Sequence, residues 1–131
     1  MGTSCRIAYE ENGIFYSIYI HDDGYVHTTG QFLINMIKME QVRALILAGD
    51  KWSIFTDEYD DTPFETDQCL SGLLSRSFRQ GGECVYLFYR QKWLVCTLYR
   101  ECLEYKENEE SEMYTFYPLD EEIEAELKKR K

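Results

Sequence analysis

Alternating apolar and polar positions predict two strands joined by a tight turn at the start of the chain. Alternation runs over 5–9 and again over 14–21, and the segment Glu-Glu-Asn-Gly separates the two runs. Asn-Gly between two β-rich runs is typical of a two-residue hairpin. The second run carries large side chains at both its odd and its even positions, which predicts a strand in the interior of a sheet.

Helical spacing of apolar residues follows over 28–49. Thr28 with Gln31 three residues later forms a capping box, which predicts the start of a first helix. Its apolar positions are Phe32, Leu33, Met36 and Ile37. After a break near 38–39, a second short helix is predicted to end at Gly49. Its inward positions are Val42, Leu45 and Ile46.

The middle of the chain predicts a loop followed by a third helix. Residues 50–61 are polar, aromatic and acidic, which favours a loop. Thr62 is a good N-cap, Pro63 suits the first helical position, and Glu65 completes a capping box. A helix is therefore predicted from Thr62 to the glycines at 81–82. Its inward positions are Leu70, Leu73, Leu74 and Phe78.

The last third predicts two more hairpins and a final helix. The apolar runs 83–89 and 92–99 flank Arg90-Gln91, and a third hairpin is predicted over 102–117 around a charged turn. After Pro118 the acids come first and the bases last, as the helix dipole favours. We therefore predict one α+β domain over 1–131: a mainly antiparallel sheet of five or six strands built from hairpins, with helices inserted between them. Residues 118–131 form a peripheral helix in this prediction.

Composition narrows the class of protein. A hydrophobic content of 44% in 131 residues favours a folded domain despite a formal net charge of −10. No apolar run approaches the length of a membrane span, and the N-terminal segment does not resemble a signal peptide. The five cysteines include no Cys-x-x-Cys pair. They favour reduced thiols and a cytoplasmic location.

The acidity is concentrated in two segments. Residues 50–67 carry seven carboxylates against one lysine, and 101–126 carry eleven against one. Such surfaces repel the nucleic-acid backbone, so direct binding of DNA or RNA is disfavoured. A basic protein surface is the favoured partner, since opposite potentials orient docking. The sequence also allows the chain to form a homo-oligomer.

Four features of the chain occur together over roughly 4–50 and 83–98. They are an Arg-Ile strand, a His-x-Asp-Gly-Tyr segment, a helix end at Gly-Asp and an aromatic hairpin. In these features the chain resembles a group of small phage and prophage proteins. The shared positions are Arg6, His21, Asp23, Gly24, Tyr25, Gly30, Gly49, Asp50 and Trp93. The group usually has Cys, Trp and Pro where this chain has Ile20, Asp22 and Val26. The resemblance implies a mobile-element setting rather than an activity, and a phage-encoded protein would lie in the cytoplasm of the host cell.

Metal binding and catalysis are disfavoured by the sequence. His21 and Asp22 lie on opposite faces of a strand and His27 lies beyond a turn, so these ligands do not converge. A His21–Asp23 acid–base pair is conceivable, but no nucleophile motif or phosphate-binding glycine loop accompanies it. We therefore predict a protein that is not an enzyme, without cofactor or metal.

The segment His21–Tyr25 has a structural and a functional interpretation. As a strand exit, Asp22 or Asp23 would bond to backbone amides, Gly24 would adopt positive φ and Tyr25 would cover the next helix. As a small-ligand site, aromatic and polar groups would line a shallow pocket. The residues of this alternative site are Arg6, Tyr19, His21, Asp23, Tyr25 and Trp93.

The acidic loop is the candidate for a protein interface, because aromatic anchors within a charged rim are common at interfaces. Its candidate partner-binding residues are Trp52, Phe55, Asp57, Glu58, Tyr59, Asp60 and Asp61. The spacing of the acidic residues in this loop is not that of the calcium ligands of an EF-hand. The alternative interpretation is a solvent-exposed loop that has no function.

Two functions follow from these features. The first is a non-enzymatic phage or mobile-element protein that binds and inhibits a host defence protein, of the anti-CRISPR or anti-restriction type. The second is a small-ligand binder, such as a sponge for a nucleotide immune signal. Such a sponge needs several cations that converge on phosphates, and Arg6 and Lys92 are among the few scattered bases available.

Overall fold

A computed structural model of the chain describes residues 3–97 and 116–129. In order, its elements are β1 (Cys5–Glu11), β2 (Ile14–Asp22), a π-helical turn (Val26–Gly30), α1 (Gln31–Leu33), α2 (Met39–Leu47), β3 (Lys51–Ser53), β4 (Glu65–Asp67), α3 (Leu70–Arg79), β5 (Cys84–Tyr89), β6 (Lys92–Thr97), β7 (Tyr117–Pro118) and α4 (Leu119–Lys129). The predicted third hairpin lies outside the described residues except for its last two positions.

The described strands form one mixed sheet of seven strands, in the order β3-β2-β1-β5-β6-β7, with β4 also paired to β2. The α+β class is confirmed, but the prediction of a mainly antiparallel sheet is wrong, because β1 pairs with β5 and β2 with β3 in parallel. Parallel strands require a crossover connection. Here the helices inserted between strands form these crossover connections, so that the strand after a helix can run parallel to the strand before it.

Both tight turns form where the sequence predicts them. Asn12 and Gly13 have φ of 56° and 82°, and Arg90 and Gln91 have φ of 52° and 65°. Two successive residues with positive φ are typical of a type I′ turn, which matches the twist of the flanking strands. The interior position of β2 is also confirmed, since β1 lies on one side and β3 and β4 lie on the other.

Helices cover both faces of the sheet. On one face, the π-helical turn, α1, α2 and α4 pack on a core that includes Ile7, Ile18, Tyr86 and Trp93. On the other face, Leu73 and Leu74 of α3 pack on Ala8, Val85 and Leu87. The final helix is confirmed over Leu119–Lys129. Leu119 anchors it fully in the core, whereas Leu127 remains 45% exposed.

The predicted start of the first helix is wrong. Thr28 lies inside the π-helical turn, where its hydroxyl donates to the carbonyl oxygens of Asp23 and Tyr25 instead of capping a helix. The helical segment ends at Leu33, so Ile37 lies beyond it and is 65% exposed. The second helix is confirmed, with Val42 and Ile46 buried and Gly49 at φ 100° just after it.

The predicted start of the third helix is wrong by seven residues, because Leu70, not Pro63, is the first helical residue. The segment Glu65–Asp67 instead pairs with Phe15–Ser17 of β2 as an edge strand. The predicted loop over 50–61 is also wrong in part, since Lys51–Ser53 forms β3. The end of α3 is as predicted, with Gly81 at φ 78°.

Candidate functional site

The centre of the candidate site is His21, near the end of β2. Its ring stacks on the indole of Trp52, with centroids 4.0 Å apart and an interplanar angle of 26°. Tyr19, two residues earlier on the same side of the strand, meets the imidazole edge-on at 4.8 Å. His21 Nε2 lies 2.7 Å from Asp60 Oδ2. The two segments singled out in the sequence are therefore one site.

Residues 50–62 form an irregular hairpin on the outer edge of the sheet, which we call the acidic hairpin. Lys51 and Tyr59 form a bridge. The amide of Trp52 donates to the Glu58 carbonyl at 3.0 Å, and the amide of Asp60 donates to the Asp50 carbonyl at 3.2 Å. The segment that the sequence predicts to be a loop is thus a hairpin whose two halves are joined by backbone hydrogen bonds.

This register divides the acidic hairpin into two sides. Directly paired residues of an antiparallel ladder point to the same side, and their neighbours point to the opposite side. Lys51 and Tyr59 therefore share one side, and Trp52, Glu58 and Asp60 share the other. We call the second side, together with Tyr19 and His21 of β2, the Trp52 face.

Asp50 anchors the base of the acidic hairpin. On β2, the pairing with β4 extends to Ser17 and the pairing with β3 begins at Ile20, so the Tyr19 amide lies between the two ladders. Oδ1 of Asp50 accepts that amide at 2.9 Å. Burial raises the pKa of the Asp50 carboxyl, while the Tyr19 amide and the charge of Arg6 oppose the rise. This carboxylate is a structural replacement for a strand carbonyl.

Asp60 has the opposite electrostatic environment. The hydrogen bond from His21 lowers the pKa of its carboxyl, and the Thr62 amide, which donates to Oδ1 at 2.9 Å, acts in the same direction. The Asp60 side chain is only 16% exposed, against 28% for His21. Asp60 therefore positions the imidazole behind Trp52, and it is not a freely solvated charge.

The other side of the acidic hairpin has its own contacts. Nζ of Lys51 lies 5.4 Å from the centre of the Tyr59 ring. Burial lowers the pKa of the Lys51 ammonium, and the charge of Asp57 opposes this shift. In the turn of the hairpin, Phe55 meets Phe32 edge-on at 5.9 Å, which connects the acidic hairpin to α1.

Three large aromatic side chains of the acidic hairpin face solvent. The exposed fractions are 46% for Trp52, 56% for Phe55 and 42% for Tyr59. Asp57, Glu58 and Asp61 are also exposed. Six of the seven predicted partner-binding residues are thus exposed, on the two sides and the turn of the acidic hairpin, while Asp60 supports the Trp52 face from beneath.

The six residues of the alternative ligand site are not all brought together. Tyr19 and His21 are in ring contact, and Arg6 lies directly opposite Tyr19 in the β1–β2 register. Arg6 is fully buried and donates to Ser17 Oγ at 2.8 Å and to Gln80 Oε1. Trp93 lies in the core, where its indole donates to the Met36 carbonyl at 2.8 Å. Burial lowers the pKa of the Arg6 guanidinium, and the charge of Asp50 opposes this shift.

The remaining two residues of that set have separate contacts. Oδ2 of Asp23 accepts the Ser53 hydroxyl at 2.7 Å, and Tyr25 stacks on His27 at 5.1 Å. Asp23, not Gly24, has positive φ, at 64°. Gly24 is needed for space, since a Cβ there would lie 2.7 Å from the Thr3 carbonyl oxygen. The predicted conformation of Gly24 is therefore wrong, although the strand does end in a turn.

Sequence reasoning missed two contributors to the site, Lys51 and Phe32. No sequence signal revealed β3, because Lys51 and Ser53, its two polar residues, are buried while Trp52 between them is exposed. No sequence signal indicates that Phe32 would meet Phe55. Within 3–97 and 116–129, no group of three potential ligands is placed to hold a metal ion. In the same ranges, no helix has the length and apolar character needed to cross a membrane.

No protein-family model, curated protein or solved structure matches this chain.

Proposed function

We propose that this protein acts by binding a basic surface of a partner protein through the acidic hairpin. The observation that carries the proposal is the exposure of Trp52, Phe55 and Tyr59 among carboxylates on one edge of the sheet. Large aromatic side chains contribute most of the binding energy at many interfaces, and a charged rim steers the partner. This combination supports recognition of a protein rather than a small solute.

The rigidity of the acidic hairpin supports the same conclusion. Binding by a mobile loop loses free energy when the loop becomes ordered, whereas a preorganised surface avoids that cost. Here the hairpin is fixed by its own ladder, by Asp50 on the Tyr19 amide and by Asp60 on His21. The exposed aromatic rings are therefore presented in defined positions before a partner arrives.

The partner in this proposal is a host defence protein, and its inhibition is the biological outcome. This part of the proposal rests on the resemblance to phage and prophage proteins, together with the small size and the net charge of −10. Binding without chemistry is sufficient for inhibition, because an acidic protein that covers a nucleic-acid groove excludes the nucleic acid.

The test is capture of proteins from bacterial extract by the immobilised protein, measured by quantitative mass spectrometry at several ionic strengths. One variant combines Asp57→Asn, Glu58→Gln and Asp61→Asn. Asn tolerates the positive φ of 65° at Asp61, and Asp60 is left intact because it is structural. We expect this variant to capture far less of the partner than the wild type does. Any capture that remains should no longer depend on ionic strength, since screening acts on the charges that were removed.

The matched control combines Glu40→Gln, Glu121→Gln and Glu124→Gln, three exposed residues of α2 and α4. It raises the formal net charge by the same amount as the first variant, so a general effect of acidity would appear in both. We expect the control to retain the partner at all ionic strengths that the wild type does. Equal loss from both variants, or from neither, would overturn the proposal.

A further inference from the structure

We propose that the group recognised by the Trp52 face is an arginine guanidinium, which stacks on the exposed side of the Trp52 indole and is bonded by the Glu58 carboxylate. This inference rests on the proposed function and specifies the chemistry of the partner's contact residue.

The first observation is the way in which Trp52 is held. One face of the indole is covered by His21 at 4.0 Å, while 46% of the residue is exposed. The imidazole behind it is itself fixed, by Asp60 at 2.7 Å and by Tyr19 at 4.8 Å. A flat, immobilised aromatic surface is thereby offered to solvent, and a planar cation suits such a surface.

The second observation is the backbone pairing of Trp52 with Glu58. The Trp52 amide donates to the Glu58 carbonyl, so these two residues occupy opposite positions next to the Lys51–Tyr59 bridge. Side chains of directly paired residues lie about 5 Å apart at Cβ and on the same side. A guanidinium over the indole is thus within reach of two carboxylate oxygens, and paired N–H groups bind such oxygens in parallel.

The third observation is the placement of the chain's own cations. Among the described residues, cations lie over Tyr59 and Tyr89, and none lies over Trp52. Lys51 occupies the Tyr59 ring on the opposite side of the acidic hairpin, at 5.4 Å. Of the hairpin's two rings that best accept a cation, Trp52 is therefore the one that remains for a partner. Trp is also the aromatic side chain that attracts cations most strongly.

Arginine is favoured over lysine by the shape of the site. A guanidinium presents a plane for stacking and a fork of N–H donors for the carboxylate at the same time. A lysine ammonium is a point charge that is strongly hydrated, so it gains from the carboxylate but little from the flat ring. The Trp52 face should therefore discriminate between two peptides of equal charge.

The test uses the full-length protein and two short dye-labelled peptides of alternating glycine and cation, one with arginine and the other with lysine. Fluorescence anisotropy measures the affinity of each. We expect the arginine peptide to bind at least about fivefold more tightly, the effect of one cation–π contact. Trp52→Leu should reduce this ratio to about one, as the stacking contribution is lost. Glu58→Gln, an exposed substitution that keeps the fold, should reduce the ratio and weaken both peptides.

The control is Phe55→Leu, which removes an exposed aromatic side chain outside the Trp52 face and should leave the ratio unchanged. Equal affinity for the two peptides, an arginine preference that survives Trp52→Leu, or no binding of either peptide would overturn the inference. The result of the capture experiment with the three-carboxylate variant does not depend on the result of the peptide experiment. A partner that depends on the hairpin charges but accepts lysine would contradict the inference and leave the proposed function standing.

Discussion

The Nε2 atom of His21 lies 2.7 Å from Oδ2 of Asp60, across 39 residues of sequence. This contact joins the end of an interior strand to the acidic hairpin, and the imidazole also packs between Tyr19 and Trp52. The histidine that the sequence suggests as an acid–base partner of Asp23 therefore contacts Asp60 instead, and it supports an exposed indole.

Asp60→Asn should lower the free energy of unfolding by about 1–2 kcal/mol near pH 7, because the amide lacks the charge and has one acceptor oxygen for two hydrogen bonds, those from His21 and from the Thr62 amide. His21 lowers the pKa of Asp60 in the folded state. The stabilisation by the carboxylate is thus complete above its ordinary pKa of about 3.9 and is lost as the pH falls through the lower folded-state value. Urea unfolding at a series of pH values measures both effects.

The control for this measurement is Asp61→Asn, the exposed neighbour, which should change the free energy of unfolding by less than about 0.5 kcal/mol. The stability curves of the wild type and Asp60→Asn should converge in acid. A difference that stays constant below pH 3 would show that Asp60 does not stabilise the fold through its charge.

The parts of the fold that were predictable depend on local signals. Asn12-Gly13 and Arg90-Gln91 each lie between two apolar runs, and a two-residue turn is stabilised by those same runs. Gly49 and Gly81 end helices because a left-handed conformation costs glycine little, which is a property of one residue.

The parts that were missed depend on distant partners. Thr62, Pro63 and Glu65 carry a valid local signal for a helix start, but β2 offers an unpaired edge to which Glu65–Asp67 bonds instead. Arg76 of α3 then binds Asp67 at 3.0 Å and Glu65 at 3.2 Å, which holds the strand beneath the helix. Tertiary pairing of this kind overrides local propensity.

The candidate site was predictable in composition but not in construction. The aromatic and acidic residues of 52–61 are apparent in the sequence, and most of them are exposed as expected. The division of the acidic hairpin into two sides follows from the pairing of Lys51 with Tyr59. No pattern within the segment specifies that pairing, because it depends on β3 docking beside β2.

Gly24→Ala should destabilise the protein by about 2 kcal/mol or more, since the added methyl group cannot fit without moving the backbone. A Cβ at this position would lie 2.7 Å from the Thr3 carbonyl oxygen and 2.9 Å from the Cys5 Cβ. The matched control is Gly72→Ala within α3, where the nearest atom, Asp67 Oδ1, is at 3.4 Å. This control should be neutral or stabilising by up to about 1 kcal/mol through helix propensity. Thermal and urea unfolding of both variants distinguish crowding from a general intolerance of alanine.

The acidic hairpin should determine biological activity if the protein is an inhibitor of host defence. Expression of the wild type in bacteria with an active CRISPR or restriction system should raise the plating efficiency of a targeted phage. The three-carboxylate variant of Asp57, Glu58 and Asp61 should lose this effect, because steering by opposite charge is removed. The three-glutamate control should keep it. Equal plaque counts for the three-carboxylate variant and the three-glutamate control would contradict a role for the hairpin charges.

Cys69 should react with iodoacetamide well before the other described cysteines, which are buried. Hydrogen bonds with the Ser71 hydroxyl and the Gly72 amide lower the pKa of the Cys69 thiol, so more of it is thiolate near pH 8. Burial raises the pKa of Cys84 to about 12 and also raises that of Cys5. Peptide mapping by mass spectrometry over time gives the order of labelling, and Ser71→Ala should slow Cys69 a few-fold. Labelling of Cys84 at the same rate as Cys69 in the folded protein would contradict the burial of β5.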